Sequence, residues 1–424
     1  MSVYDFLNTF REISFHMPGH KGQIPVPIKD VTELSGTDNL RNPQGIIKEA
    51  QEQMAKALEK REAFFLTNGA SSGILASILS SAQENETVLI DRNCHISVQN
   101  GLILSGAVPK YIYPKMNRDF QIPSPISADD FTYQGEKTVI VTSPTYYGEV
   151  SDIASIRQKV GDATLIQDES HGAHFYFCDR LKPYRNKLSD LTVLSFHKTM
   201  PTLNQGAILA RNTEKISSVR VKESINLVTT TSPSYPIMAS LDYAGKYGAK
   251  HYNQDEILEK VFALKNRLRR ETPLRILDNQ DCYKLFVNCD DCNQSAIDIQ
   301  RILEQKYSIY VEGVFGNNLL LMFSPYNREE EVNLLEKALL SLELTTAGPK
   351  EKNAVPVLLL PQRLSPREAF YAPGEVVPLK KAVGRVSKES ITRFPPCVPL
   401  VMMGEEITPE AIPYIEKEFV EVVK

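Results

Sequence analysis

Between Ala63 and about Ala210 the chain alternates short apolar runs with helix-length segments of mixed character. The runs AFFL (63–66), TVLID (87–91), PKYIY (109–113), TVIVTS (138–143), ATLIQD (163–168) and LTVLSF (191–196) are rich in Val, Ile, Leu and Phe. Most stop at Gly, Asn, Asp, Ser or Pro, residues that favour turns. Apolar character that is continuous rather than alternating marks strands covered on both faces, so the pattern predicts an α/β domain with a mostly parallel sheet. Such sheets bind their ligands at the carboxyl ends of the strands.

After Asp242 the texture changes. QDEILEKVFALKNRLRRE (254–271) has the period of an amphipathic helix, and CYKLFVNC (282–289), the helix SAIDIQRILEQK (295–306) and strands around IYVEGV (309–314) and NLLLMFS (318–324) follow. This predicts a smaller α+β domain ending near Leu344. TTAGPKEKNAVP (345–356) reads as a linker, and a proline-rich, irregular C-terminal unit follows it. The expected organisation is an N-terminal arm at 1–35, a large domain at 36–249, a small domain at 250–345 and a C-terminal unit at 346–424, with no internal repeat.

Length and charge narrow the picture. A chain of 424 residues exceeds one ordinary core. With 42% hydrophobic and 24% charged residues and a formal charge of −4, it has a globular composition and no general attraction to nucleic acid or anionic membrane. The N-terminus has no signal-peptide core, and no apolar run approaches the ~20 residues that span a bilayer. Six cysteines are too sparse for a disulfide framework. A cytoplasmic protein whose partners are small molecules or its own copies is expected. Cys289 and Cys292 have CxxC spacing, but no second pair or nearby histidine completes a zinc set, and a turn after YKLFV is the simpler reading.

Several strand ends carry residues that packing does not require. TNGASSG (67–73) places Asn68, Gly69, Ala70, Ser71 and Ser72 where a helix begins, either as a phosphate cradle of free N–H groups and hydroxyls or as an ordinary serine cap. The strand ATLIQD ends at Asp168, beside Glu169, His171 and His174; the glycine within HGAH argues against a helical metal pair. LTVLSFHKT (191–199) carries His197 and Lys198 just past its strand. A lysine at a strand end is usually a solvated charge, but in a dry site its neutral amine can attack a carbonyl. A phosphate cradle, a buried acid and such a lysine on ends of one sheet are the parts that hold pyridoxal phosphate, the acid keeping the pyridine nitrogen protonated. His95, just after TVLID, is placed to stack on a flat ring. Six of the seven histidines fall in such short segments.

These segments resemble the Orn/Lys/Arg decarboxylases, pyridoxal-phosphate enzymes of the aspartate-aminotransferase fold (fold type I). The resemblance runs through FHMPGHKG (15–22), DVTELSGTDNL (30–40), TNGASSG, DRNCHISVQNGLILSGA (91–107), TSPTYYGEVSDI (142–153), DESHGAHF (168–175), SFHKT (195–199), TTSPSYPIMASLD (230–242) and APGEVVPLKKAVGRV (372–386). It implies that Lys198 is the Schiff-base lysine, Asp168 the partner of the pyridine nitrogen, His95 the stacking residue and His197 a neighbour of the reacting centre. His171 joins the cofactor-binding set, and phosphate contacts come from Ala70, Ser71, Ser72 and Ser195. Thr230 and Ser232 reach a phosphate in the partner subunit, which implies a homodimer with shared sites. No metal is implied.

The implied activity is decarboxylation of lysine, arginine or ornithine to the amine. The substrate's distal cation asks for a carboxylate, for which Glu375 in APGEVVPL is a candidate beside the simpler reading of a solvated glutamate. The chain departs from the family pattern at Arg41, Asn42, Gln44, Ile96, Cys397 and Met403, on the substrate side rather than in the cofactor cradle. It is also expected to lack the extra N-terminal domain of the longest members. Alternative readings are another pyridoxal-phosphate reaction on the same fold, such as an aminotransferase or lyase, and a non-catalytic regulatory relative.

Overall fold

The computed structural model describes residues 12–23, 29–254, 256–348, 358–393 and 398–424. Most of the expected linker and Cys397 therefore lie outside the described residues. A short strand, β1 (Ile13–Phe15), comes first. The chain then lays down β2 (Glu62–Leu66), β3 (Thr87–Asp91), β4 (Val108–Ile112), a small hairpin of β5 (Met116–Asn117) and β6 (Ile122–Pro123), then β7 (Thr138–Thr142), β8 (Thr164–Asp168), β9 (Leu191–Leu194) and β10 (Ala207–Arg211). Seven of these form one sheet in the order β2-β10-β9-β8-β7-β3-β4. β10 runs antiparallel to both neighbours, and the remaining contacts are parallel.

The two-sided burial inferred from the apolar runs is realised by alternation. Ile90, Ile140, Ile166 and Val193 pack on one face beneath the helices Gly69–Ser81, Ile96–Ser105 and Ser218–Val228. Leu89, Val139, Val141 and Leu165 pack on the other against the helix Ile153–Val160. Each such aliphatic side chain contributes roughly 1.5–3 kcal/mol on leaving water, which explains why polar residues vanish from these strands until their ends. The first of these helices lies very close to the sheet. A Cβ at Gly73 would stand 2.8 Å from Leu66 Cδ1 and 2.9 Å from Val193 Cγ1, so any larger residue there would have to displace both side chains.

The second unit is antiparallel. It contains β11 (Arg275–Ile276), β12 (Lys284–Asn288), β13 (Ile309–Val311), β14 (Gly313–Phe315) and β15 (Asn318–Met322), with a sheet order of β11-β12-β15-β14. β13 leaves that sheet to pair in parallel with β1, Phe15 opposite Val311. The helices Ile257–Glu271, Ala296–Tyr307 and Glu329–Leu340 complete the unit. Its core is continuous with the large sheet: Met54, Phe175 and Leu241 join Leu264, Leu285, Leu319 and Leu335 in one buried cluster. Position 249 falls inside the helix Tyr235–Asn253, just before its last turn, and Thr346 and Ala347 still pair with the Asp291–Cys292 turn. Cys289 and Cys292 are buried in that turn, the Cys292 N–H donating to the Cys289 carbonyl at 3.1 Å.

The C-terminal unit has a small core of its own, including Ile391, Val401, Ile407, Val420 and Val422. Its strands β16 (Gly374–Pro378) and β19 (Phe419–Val423) pair antiparallel, as do β17 (Ile391–Arg393) and β18 (Val398–Val401). No helix among the described residues is long and apolar enough to cross a membrane.

Candidate active site

The ends of β3, β7, β8 and β9 open into a cavity of about 740 Å³. Lys198, Asp168, His95, His171 and His197 line it, and so do Ala70, Ser71 and Ser195. Ser72, Thr230 and Ser232 do not.

The cradle begins at Asn68, the residue before the helix Gly69–Ser81, and no side chain caps this helix. The serine cap is therefore absent, and the first turn presents its backbone dipole to the cavity. Gly69 takes φ +78°, a left-handed conformation that glycine adopts without strain. Ser71 is exposed, whereas Ser72 is turned inward: its hydroxyl donates to the Gly69 carbonyl at 2.7 Å, and the side chain is buried. The Ser72 hydroxyl is thus engaged within its own helical turn, and its side chain does not line the cavity. Thr230 and Ser232 sit beside the cradle, the Thr230 N–H donating to Asn68 Oδ1 at 3.3 Å, with both hydroxyls on the exterior.

Lys198 emerges from a single helical turn, Phe196–Thr199, immediately after β9. Its Nζ lies 3.0 Å from His171 Nε2. His171 is buried and meets the Tyr146 ring edge-on at 4.7 Å. Burial, then the Lys198 charge, pushes the His171 imidazole well below its ordinary range, so the neutral ring accepts from the lysine. Burial and Lys198 likewise push His197 down to about 4, and its Nδ1 stands 3.3 Å from Ser195 Oγ. His95 caps the helix Ile96–Ser105, its Nδ1 accepting from the Ser97 N–H at 3.2 Å. Burial lowers its affinity for a proton too, with Asp168 opposing and Lys198 adding. A lysine thus sits among three imidazoles that stay neutral.

Asp168 is buried and accepts from the Ser170 N–H at 3.1 Å and the Ser170 hydroxyl at 2.5 Å. Strand alternation sends its neighbours to the opposite face. Gln167 Nε2 donates to the Ser143 carbonyl, and Glu169 accepts from the Tyr176 hydroxyl at 2.9 Å. His174 turns away to Asp281, 2.9 Å from its Nε2. A Cβ at Gly172 would lie 2.6 Å from Glu169 Cγ, so the glycine in HGAH serves close packing. Among the described residues no group of three or more His, Cys, Asp or Glu side chains is placed to hold a metal ion.

The N-terminal segment FHMPGHKG closes one wall. The Gly19 N–H donates to the His197 carbonyl at 2.9 Å, and a Cβ on Gly19 would stand 2.7 Å from the Thr199 backbone. Met17, Tyr146 and Glu312 line the cavity as well, and sequence reasoning assigned none of them. The only signal for Glu312 was an acid set between two apolar strands. Glu375 is not part of this cavity; it pairs with Arg385 at 2.7 Å in the C-terminal unit. Of the departures from the family pattern, Arg41, Asn42, Gln44, Ile96 and Met403 also stay off the cavity wall. Arg41 donates to the Asn226 carbonyl, and the Gln44 N–H joins a turn built on the Asp38 carboxylate.

A cofactor fits these residues. The uncapped helix start suits a phosphate, Asp168 suits a protonated ring nitrogen, Lys198 suits an aldehyde, and His171 Nδ1 is a buried polar atom without a partner.

Two family models match the chain: the Orn/Lys/Arg decarboxylase major domain over residues 5–288, and the Orn/Lys/Arg decarboxylase C-terminal domain over residues 354–421. An uncharacterized protein of Bacillus subtilis (strain 168), YaaO, is 34% identical over 94% of this chain and 89% of its own length. An arginine decarboxylase of the same organism is 30% identical over 96% of this chain and 90% of its own. Among solved structures, a lysine decarboxylase of Francisella novicida superposes with a TM-score of 0.78 at 17% identity, covering 91% of this chain and 73% of that one.

Proposed function

Since the chain belongs to the Orn/Lys/Arg decarboxylase family, we propose that it removes CO2 from a basic amino acid, using pyridoxal phosphate held through Lys198. The observation that carries this reading is the 3.0 Å contact between Lys198 Nζ and the buried, neutral His171, at the edge of a cavity shared with Asp168. A lysine is a nucleophile only as the free amine, and the neutral His171 ring, which accepts from Nζ, holds that amine in place at the cavity edge.

The residues divide the work. The helix start at Gly69, Ala70 and Ser71, with Ser195, would hold the phosphate through backbone N–H groups and hydroxyls. Asp168, kept in place by Ser170, would hold the proton on the ring nitrogen. His95, pinned by Ser97, would cover one ring face. When bound, the group supplies an electron-withdrawing ring that accepts the electron pair left behind by CO2. Lys198 and His171 would hold and return protons at the reacting end, and the wall formed by Met17 and Tyr146 would exclude water from it. Thr230 and Ser232 would complete the phosphate site of a second copy.

The test has two readouts. Protein loaded with pyridoxal phosphate, treated with borohydride and digested, should carry the cofactor's mass on the Lys198 peptide, and Lys198→Ala should not. Wild-type protein given lysine, arginine and ornithine should release CO2 and the matching amine. A keto acid without CO2 would replace this reading with an aminotransferase, and an unmodified Lys198 peptide would end it.

A further inference from the structure

Lys284 is a buried lysine to which the chemistry above gives no task. It opens β12, is 1% exposed, and is followed by Leu285, Phe286 and Val287. Alternation sends Leu285 and Val287 into the main core and puts Lys284 with Phe286 on the face that meets Tyr146 and Tyr147, both on the cavity wall. Such a strand position is ordinarily aliphatic, because taking an ammonium out of water is costly. We propose that Lys284 is a positioning residue for the reacting end of the site: held between Asp281 and the Tyr146 carbonyl, it stands as a second buried positive charge near Lys198 and favours the free amine there. This rests on the reading of Lys198 as the group that reacts.

The charge is fixed by the contact between the second unit and the loop after β7. Lys284 Nζ donates to the Tyr146 carbonyl at 3.0 Å and lies 3.7 Å from Asp281 Oδ2. Three further hydrogen bonds join the same two segments. Asn279 Nδ2 donates to the Tyr147 carbonyl at 2.8 Å, the Asp281 N–H to the Gly148 carbonyl at 3.0 Å, and the Val150 N–H to Gln280 Oε1 at 3.1 Å. Gly148 permits this approach: a Cβ there would stand 2.9 Å from Asp281 Cβ and 3.1 Å from Lys284 Cδ. The other oxygen of Asp281 meets His174 Nε2 at 2.9 Å, in the segment that also carries His171. Lys284 is therefore held on both sides, by the strand it opens and by the wall of the cavity.

From Lys284 the path to Lys198 is short. Tyr146, whose carbonyl it holds, packs its ring on His171 at 4.7 Å, and His171 Nε2 lies 3.0 Å from Lys198 Nζ. Burial brings the Lys284 ammonium down to about 8, with Asp281 opposing and the Lys198 charge adding, so Lys284 keeps its proton at neutral pH. Repulsion is mutual: a charge on Lys198 that disfavours the proton on Lys284 is disfavoured by that proton to the same degree. Lys284 also adds to the charges that keep His171 neutral. The other charged or titratable groups facing the pair are Glu312 on the Lys284 side, and His95, His197 and Asp168 on the Lys198 side. Asp281 favours the proton on Lys284, so the amine left free is the reacting one. A cation beside a nucleophilic lysine is a general means of freeing its amine.

Trace acetylation counts free amines, and it needs neither cofactor nor turnover. The full chain without pyridoxal phosphate is pulsed with acetic anhydride at a series of pH values from about 6 to about 10, and the Lys198 peptide is scored by mass against that of the exposed Lys137. Lys284→Met should label Lys198 about tenfold more slowly than wild type near pH 7, and the gap should close above about pH 8 as Lys284 loses its own proton. Lys284→Arg keeps the charge and should follow wild type. Asn279→Ala loosens the same contact without touching a charge, so its thermal midpoint should fall while its labelling profile follows wild type. Lys284→Gln takes the place of the methionine variant if that one does not fold. A profile unmoved in the folded uncharged variant, or moved as far by Asn279→Ala or by Lys284→Arg, would overturn the assignment. An unmodified Lys198 peptide in the borohydride experiment would end the cofactor reading and leave the coupling of the two lysines standing.

Discussion

Asp91 and Asp168 end strands separated only by β7, and their surroundings part their behaviour. Burial pushes the Asp91 carboxyl up to about 7; N–H groups of Asn93 and Thr142 oppose this, and the Asp168 charge adds to it. The folded state therefore binds a proton at Asp91 that the unfolded chain has released above about pH 4. Its contribution to stability is fully present below that pH and is lost as pH rises to about 7. Asp91→Asn does not titrate, and its side-chain oxygen can still accept from the Asn93 N–H, now at 2.8 Å. The variant should gain on wild type as pH rises from about 4 to about 7, by at most about 1.4 kcal/mol per pH unit. Thermal midpoints of both proteins across that range check it, and a constant gap would show that Asp91 is ionised in the fold.

At the scale of elements, the C-terminal unit is tied to the strand end that carries His95. Arg92 follows β3, is buried, donates to the Pro399 and Leu400 carbonyls, and pairs with Glu405 at 3.0 Å. Removing one partner of a buried pair strands the other, so Glu405→Ala should cost about 3–5 kcal/mol. Glu375→Ala, which removes the Arg385 pair on the exterior of the same unit, should leave the urea midpoint nearly unchanged. Equal losses would mean that this unit gains nothing specific from the Arg92 contact. Much of the element pattern was legible beforehand, because a strand buried on both faces has a plain signature; TVLID is β3 to the residue. AILAR at β10 and the helix Glu329–Leu340 escaped notice. The former is a brief apolar run behind a loop, and its antiparallel direction is set by neighbours rather than by its own residues. Lys198, Asp168 and His95 were legible because packing does not ask for them at strand ends. The orientation of the Ser72 hydroxyl was not legible, since a serine in a first helical turn can reach the carbonyl three residues back as easily as a ligand. Glu312 could not be placed from sequence, because only the docking of the second unit on β1 and Tyr146 brings it to the cavity.

For the whole molecule, the question is whether one chain holds a complete site. Thr230 and Ser232 have exposed hydroxyls next to the cradle but off the cavity wall, and the helix that leads to them ends with Leu227 74% exposed. A polar pair and an apolar side chain presented together suit a surface covered by a second copy, and on the proposed reading that copy's phosphate is what the hydroxyls reach. In a two-fold dimer each site would then take Lys198 from one chain and the Thr230–Ser232 pair from the other. Two defective proteins, Lys198→Ala and a Thr230→Ala, Ser232→Ala double variant, should repair each other when unfolded together and refolded with pyridoxal phosphate. Half of the randomly formed dimers would be mixed, each with one intact site and one doubly defective site, so about a quarter of wild-type activity should return, set against whatever the double variant retains alone. Sites built from one chain alone would give a mixture no more active than the average of its two components, and that outcome would confine Thr230 and Ser232 to their own subunit.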